Sequence, residues 1–205
     1  MRLGIFGGSF DPVHYGHLLA AESCREQANL DDVWFVPLAV PAHKSPQDIS
    51  AASDRIDMLK LAAAGHQSLR VSSLEIDRGG ISYTVETLEQ LHGDQPDNEL
   101  FLILGADSLA DFPTWRNAER ICELAALLVV RREGYPEPNF RVLAEFVDRK
   151  RIEHFKSLQV EMPAIGLAAR EIRHRVASGR SIRYRTPRAV ERYIETHGLY
   201  RRDPS

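Results

Sequence analysis

The stretch Leu3-Gly4-Ile5-Phe6-Gly7-Gly8-Ser9-Phe10-Asp11-Pro12-Val13-His14-Tyr15-Gly16-His17 reads as a strand, a glycine-rich loop and the start of a helix. Arg2–Phe6 is nearly continuous in apolar residues, which suits a strand covered on both faces. The loop is neither Gly-x-x-x-x-Gly-Lys-Ser/Thr nor Gly-x-Gly-x-x-Gly, so those two phosphate-binding motifs do not apply. The physics is related all the same. Glycines let backbone N–H groups come close to an anion, and the helix that follows, Gly16–Gln27, aims its positive N-terminus at the same place.

The strand-then-helix pattern continues outward from this stretch. Further strands are expected at Val33–Val36, Leu69–Ser72, Leu100–Leu104, Ala126–Val130 and Leu158–Met162. Helices are expected at Ser53–Ala64, Ser82–Leu91, Asn117–Leu124, Phe140–His154, Ala168–Ala177 and Pro187–His197. Ser53 and Thr186 suit N-caps, Pro187 a first turn, and Gly65 and Gly198 helix stops. Such alternation predicts a three-layer α/β Rossmann-like fold, a doubly wound parallel sheet. Ligands of these sheets sit at the carboxyl ends of the strands, which directs attention to loops 7–16, 37–50, 73–82, 105–116 and 163–168. At 205 residues the chain should form a single domain, 1–205, with 163–205 as a small helical part packed onto it.

Composition narrows the function classes. Hydrophobic residues make up 43% and charged residues 27%, ordinary values that exclude disordered, collagen-like and coiled-coil chains. The longest apolar run, Leu124–Val130, is far shorter than the roughly 20 residues of a membrane helix, so no membrane partner is expected, and the apolar N-terminal stretch is too short for a signal peptide. Net charge is −3, which argues against a globally basic nucleic-acid binder. The charge is uneven, however: residues 170–205 hold ten arginines against four acids. Such a segment is a solvated face or a docking place for polyphosphate or nucleic acid. Cys24 and Cys122 lie far apart, so a reducing, cytoplasmic location fits.

Several residues carry chemistry by type and place. His14 and His17, three apart, share one face of the starting helix and form a cradle for phosphate oxygens beside the loop's backbone donors. The competing readings are two incidental histidines on a turn, or a metal site with Asp11 that lacks a well-spaced further ligand. Asp107 follows a buried strand, where a carboxylate can accept both hydroxyls of a ribose or cap the turn Ser108–Asp111. Trp115 can stack on a flat ring or fill the core. Thr84 stands near a helix start whose N–H groups suit a carboxylate, and Lys44 is a mobile cation on a proline-rich loop. Arg131 and Arg132 end a strand and can face phosphate or solvent. Glu75, Arg78, His66, His92, His154 and His197 form no constellation and read as structural or surface residues, as does Tyr83 taken alone.

Gly8-x-Phe10-x-Pro12-x-His14-x-Gly16-His17 resembles the signature of the HxGH nucleotidyltransferases. Three further stretches resemble the bacterial nicotinate-nucleotide adenylyltransferases within that superfamily: Pro37–Lys44, Ser82-Tyr83-Thr84 through Leu88, and Leu104-Gly105-Ala106-Asp107 followed by Pro113-Thr114-Trp115. The similarity is colinear from residue 2 to Arg201. It implies adenylyl transfer from ATP to nicotinate mononucleotide, with magnesium bridging substrate phosphates. It implies His14, His17 and Arg173 as catalytic residues. ATP would meet Gly7, Gly8, Ser9, Phe10, His14, His17, Gly105, Asp107, Arg170 and Arg173. The mononucleotide would meet Ser9, Lys44, Tyr83, Thr84, Asp107, Trp115 and Arg116, with its carboxylate at the backbone of Thr84 and Arg116.

One segment departs from the pattern. Where the family has Ile-Ser-Ser-Thr-x-x-Arg, this chain has Leu167-Ala168-Ala169-Arg170-Glu171-Ile172-Arg173, keeping the arginine and losing three hydroxyls. The alternatives are therefore a relative that uses nicotinamide mononucleotide or another phosphate acceptor, and a nucleotide-binding protein with weakened catalysis.

Overall fold

The computed structural model describes residues 1–41 and 49–201. Six parallel strands form the central sheet: β1 (Arg2–Gly8), β2 (Asp32–Pro37), β4 (Leu69–Val71), β6 (Glu99–Gly105), β7 (Ala125–Arg132) and β8 (Val160–Met162). Their order is β4-β2-β1-β6-β7-β8. The chain winds outward from β1 to β2 and β4, then restarts on the other side of β1 with β6. The winding reverses between β1 and β6, which opens a crevice at their carboxyl ends. The doubly wound three-layer fold expected from the alternation is the one observed.

The continuous apolar runs are buried on both faces, as the absence of alternation implies. Leu127, Leu128 and Val129 of β7 are wholly buried, as are Leu3 of β1 and Phe35 of β2. Gly4 is dictated by packing. A methyl group there would lie 2.7 Å from Leu30 Cδ1 and 3.2 Å from Ile103 Cδ1.

The helices are α1 (Tyr15–Gln27), α2 (Ala52–Ala63), α3 (Leu74–Arg78), α4 (Thr84–Asp94), α5 (Ala106–Asp111), α6 (Ala118–Leu124), α7 (Arg149–Ser157), α8 (Ala169–Ala177) and α9 (Arg188–Thr196). Four expectations need correction. The expected helix Phe140–His154 is two elements, a 3-10 turn at Phe140–Leu143 and α7, because the Asp148 side chain accepts the Arg151 N–H at 2.7 Å and starts a new helix. Ser53 does not cap α2; Ala51 stands at the N-cap, and Arg55 Nε donates to Ser50 O at 3.1 Å. The expected helix at Ser82 begins at Thr84, because Ile81–Ser82 forms a short strand, β5, paired with β3 (Val40–Pro41), and Ser82 Oγ accepts the Ala39 N–H at 2.9 Å. Thr186 does not cap α9; its buried hydroxyl donates to Val13 O at 2.7 Å.

That last bond ties the C-terminal helices to the loop after β1, and Tyr15 N–H adds a bond to Arg185 O at 3.2 Å. α9 packs on α2 through its apolar face, with Val190 and Ile194 buried. Tyr193 donates to Asp54 at 2.9 Å across the same contact.

Candidate functional site

The first loop, Gly8 to His14, lies at the carboxyl end of β1, beside the reversal of winding. Its shape rests on Phe10, which has φ +47° and is 2% exposed. The ring packs edge-on against Phe6, Phe35 and His17 at 5.1 to 5.5 Å between centroids. It also lies so close over Gly8 that a Cβ there would sit 3.0 Å from its Cζ atom. Phe10 thus belongs to the core, and only its backbone, not its ring, is left to meet the ATP expected from the resemblance. Non-glycine residues at positive φ are rare and persist where the surroundings enforce them.

The two histidines form a pair. Their rings stack with centroids 3.7 Å apart and planes 16° from parallel. The His14 N–H donates to His17 Nδ1 at 3.3 Å, so the proton of neutral His17 resides on Nε2, leaving that atom as a donor. Gly16 makes the stack possible: a Cβ there would lie 3.0 Å from both Cε1 and Nδ1 of His14. Burial holds both rings neutral. His14 is lowered from 6.5 to about 4 by burial and then by the charge of Arg132. Burial, His14 and Arg132 lower His17 in the same direction.

A histidine whose pKa is depressed by folding takes up fewer protons than the unfolded chain, so stability falls as pH drops from 6.5 towards 4. His14 should contribute about 3 kcal/mol of that loss. Urea unfolding at about pH 7 and about pH 4, for the parent and for His14→Asn, measures the difference; equal pH slopes for the two would contradict it.

Arg131 and Arg132, indistinguishable in the sequence, separate in the structure. Arg131 pairs with Glu137 and Glu161 at 2.6 and 3.0 Å. Arg132 is the arginine whose charge reaches both histidines. On the other side of the loop, Arg173 Nη1 donates to Asp11 O at 2.6 Å and lies 4.0 Å from the Asp11 carboxylate. Arg173 is in the second turn of α8. Arg170, in its first turn, is exposed, and Ala168 at the N-cap provides no side-chain bond. Glu171 turns away to Arg185 at 3.0 Å.

A second cluster forms beside α4. The Arg116 guanidinium lies 4.6 Å from the Tyr83 ring centroid and bonds Glu86 at 2.9 Å. Trp115 is half-buried and rests on Phe112 at 5.3 Å. Thr84 opens α4. Asp107 is exposed in the first turn of α5, and Gly105, not Asp107, occupies the N-cap, since the helix starts before the expected turn. Tyr83, Thr84, Trp115 and Arg116, from two segments far apart in sequence, therefore meet at one place. Lys44 lies outside the described residues. Among the described residues no group of three or more histidine, cysteine or acidic side chains is placed to hold a metal ion.

The model of the cytidylyltransferase-like family matches residues 5–185, most of the chain and all of the site above. The chain belongs to the cytidylyltransferase-like family. Among its relatives is a protein of Thermus thermophilus named probable nicotinate-nucleotide adenylyltransferase, 47% identical over 203 residues, covering 98% of this chain and all of that one. A relative of the same name from Rhodopirellula baltica is 40% identical, covering 97% and 93%. Among solved structures, the Plasmodium falciparum nicotinic acid mononucleotide adenylyltransferase complexed with NaAD superposes with a TM-score of 0.75 over 97% of each chain. At 17% identity that likeness speaks for the shared fold.

Within this cytidylyltransferase-like chain, two buried charges stand behind the first loop, Asp11 and Arg55, and of these the sequence marked only Asp11. Arg55 is 1% exposed and donates to Ser50 O at 3.1 Å, Ser9 O at 3.2 Å and Ala39 O at 3.5 Å. Asp11, which the metal reading had included, is 2% exposed and accepts from Ser50 N–H at 3.2 Å and Tyr200 Oη at 2.5 Å. The available signal for Arg55 was an arginine three and four residues before Met58 and Leu59, on the face of α2 that is buried.

Proposed function

We infer that this chain is a nicotinate-nucleotide adenylyltransferase, transferring the adenylyl group of ATP to nicotinate mononucleotide and giving nicotinate adenine dinucleotide and pyrophosphate, a step of NAD biosynthesis. The observation that carries this reading is the stacked His14–His17 pair at the reversal of winding, in a chain 47% identical to a relative of that name over nearly its full length. The mononucleotide phosphate attacks the α-phosphorus in line. An oxygen–phosphorus bond forms as the bond to the bridging oxygen breaks, and pyrophosphate leaves. No proton transfer is required, so catalysis rests on positioning and charge.

Each residue has a task in this scheme. The backbone of Gly7, Gly8, Ser9 and Phe10 and the N–H donors of His14 and His17 bind the triphosphate. Arg173 and Arg170 offset charge on the departing pyrophosphate. Gly105 and Asp107 meet ribose. Trp115 stacks on the pyridine ring, Tyr83 lines the same end, and the backbone at Thr84 and Arg116 receives the carboxylate, with Lys44 and Ser9 near the mononucleotide phosphate. Magnesium fits as a passenger of the substrate: the oxygens of Asp11, the one carboxylate in the first loop, already accept from Tyr200 and Ser50. When bound it neutralises phosphate charge. Two free, buried cysteines support a reducing, cytoplasmic setting.

Mixing ATP with nicotinate mononucleotide, nicotinamide mononucleotide or phosphopantetheine and measuring pyrophosphate tests the reading; release with none of them overturns it.

The missing hydroxyls at the start of α8 give a separate test. Arg170 and Arg173 are three apart and share a helix face. A charge-assisted bond is roughly twice as strong as a neutral one, so one guanidinium can stand in for more than one hydroxyl. Arg170→Ala should raise the Michaelis constant for ATP about fivefold, and Arg170→Thr should fall between it and the parent. Steady-state kinetics in ATP checks this, and parent-like values for both variants remove Arg170 from the site.

A further inference from the structure

We propose that Tyr200 is a positioning residue for adenylyl transfer: by hydrogen-bonding the buried Asp11 carboxylate, it keeps that carboxylate from drawing Arg173 away from the triphosphate. This rests on the assignment of Arg173 to the leaving pyrophosphate and extends it to a residue at the far end of the chain.

Asp11 has two faces in the structure. Its backbone carbonyl accepts from Arg173 Nη1 at 2.6 Å, which holds the guanidinium at the rim of the first loop. Its carboxylate lies behind, 2% exposed, with Oδ1 bonded by Tyr200 at 2.5 Å and Oδ2 by Ser50 N–H at 3.2 Å. A buried carboxylate is tolerable only when its oxygens are satisfied. Among the described residues, the charged groups facing it are two arginines. Arg55 is fixed, since its nitrogens already bond three carbonyls, those of Ser50, Ser9 and Ala39. Arg173 is less confined: one bond, to Asp11 O, holds it, its side chain is 30% exposed, and Nη1 lies 4.0 Å from Oδ2.

Removing the Tyr200 hydroxyl leaves Oδ1 unpaired in a buried place. The cheapest remedy is for Arg173 to swing inward and shorten the 4.0 Å ion pair it makes with the carboxylate. The guanidinium then spends its hydrogen bonds on Asp11 and not on phosphate. Burial and the adjacent Asp11 charge push the Tyr200 hydroxyl well above its usual pKa, so it stays a donor across the working pH range. The segment that carries Tyr200 is also anchored independently, through Thr186 to Val13 O and through α9 to α2. Tyr200→Phe therefore removes only the hydroxyl's contacts, with Asp11 and with the Ser50 side chain, and leaves the docking of the C-terminal helices in place.

The test is a double-mutant cycle on the full chain, read as affinity for pyrophosphate with magnesium by titration calorimetry and as kcat with ATP and nicotinate mononucleotide. Tyr200→Phe should weaken pyrophosphate binding about tenfold and lower kcat by a similar factor. In an Arg173→Ala background the same change should do nothing further. Parent-like affinity in Tyr200→Phe, or an undiminished tenfold effect without Arg173, overturns the proposal. If Tyr200→Phe does not fold, Asp11→Asn carries the test. It removes the charge that competes for Arg173, so it should bind pyrophosphate more tightly than the parent, and weaker binding overturns the proposal. Pyrophosphate binding with these dependences, in a chain that none of the three acceptors induces to release pyrophosphate, would refute the function and leave standing only the control of Arg173 by Tyr200 through Asp11.

Discussion

Alanine at His17 or at His14 should lower turnover by about 10²-fold or more, the scale seen when a donor to developing charge is removed from a preorganised site. Each imidazole supplies something that water cannot supply as well. His17 is held by the His14 N–H on Nδ1, so its Nε2 proton is committed to one direction before ATP arrives. His14 lies flat on its neighbour at 3.7 Å, in a space that exists because residue 16 lacks a side chain. Both are neutral near pH 7, since burial lowers both pKa values. In the proposed transfer they are neutral donors whose positive end is fixed, while Arg173 supplies full charge. His14 is 5% exposed, so its alanine variant also opens a gap. Thermal unfolding monitored alongside kcat separates that cost from the chemistry. Near-parent kcat in either folded variant would remove the pair from the mechanism.

The specificity constant for nicotinate mononucleotide should exceed that for the amide by about tenfold to a thousandfold. No side chain caps α4 at Tyr83, so its first N–H groups and the positive end of the helix remain for a ligand anion. Arg116 stands over Tyr83 and is already matched by Glu86 at 2.9 Å, so the cluster needs no further cation to hold its shape. An amide presented to those donors turns its NH₂ towards N–H groups and leaves them unpaired, at a cost of about 1 to 3 kcal/mol for each buried group. Parallel measurement of kcat/KM for the two mononucleotides decides the matter. Equal constants would place the carboxylate elsewhere.

The long strands were legible because burial on both faces writes itself as an apolar run; Leu100–Leu104 and Ala126–Val130 needed nothing else. The two-residue strands left no such trace. Ile81–Ser82 became a strand through pairing with Val40–Pro41, a contact made across the fold. The break at Asp148 was written in a capping residue but lies inside Phe140–His154, a stretch with no glycine or proline to mark a stop. At the site, chemistry-bearing types announced themselves: histidines beside glycines, an aspartate after a strand, a tryptophan in a loop. Support was harder to see. Arg55 and Tyr200 act on backbone or on another side chain from 46 and 189 residues away, and only the fold brings them to the first loop. The difference between Arg131 and Arg132 likewise depends on where Glu137 and Glu161 end up.

Phe10 gives the first loop a thermodynamic history. Its left-handed backbone costs of order 1 kcal/mol or more, and that cost is met when the core closes around its ring, before any nucleotide is present. Ordering a free loop of this length would instead charge roughly 1 to 2 kcal/mol per residue against each round of binding. Folding thus takes on once an expense that the proposed catalysis would otherwise meet at every turnover, and the proposed nucleotide affinity becomes tied to phenylalanine rings that are packed on one another and not on the nucleotide.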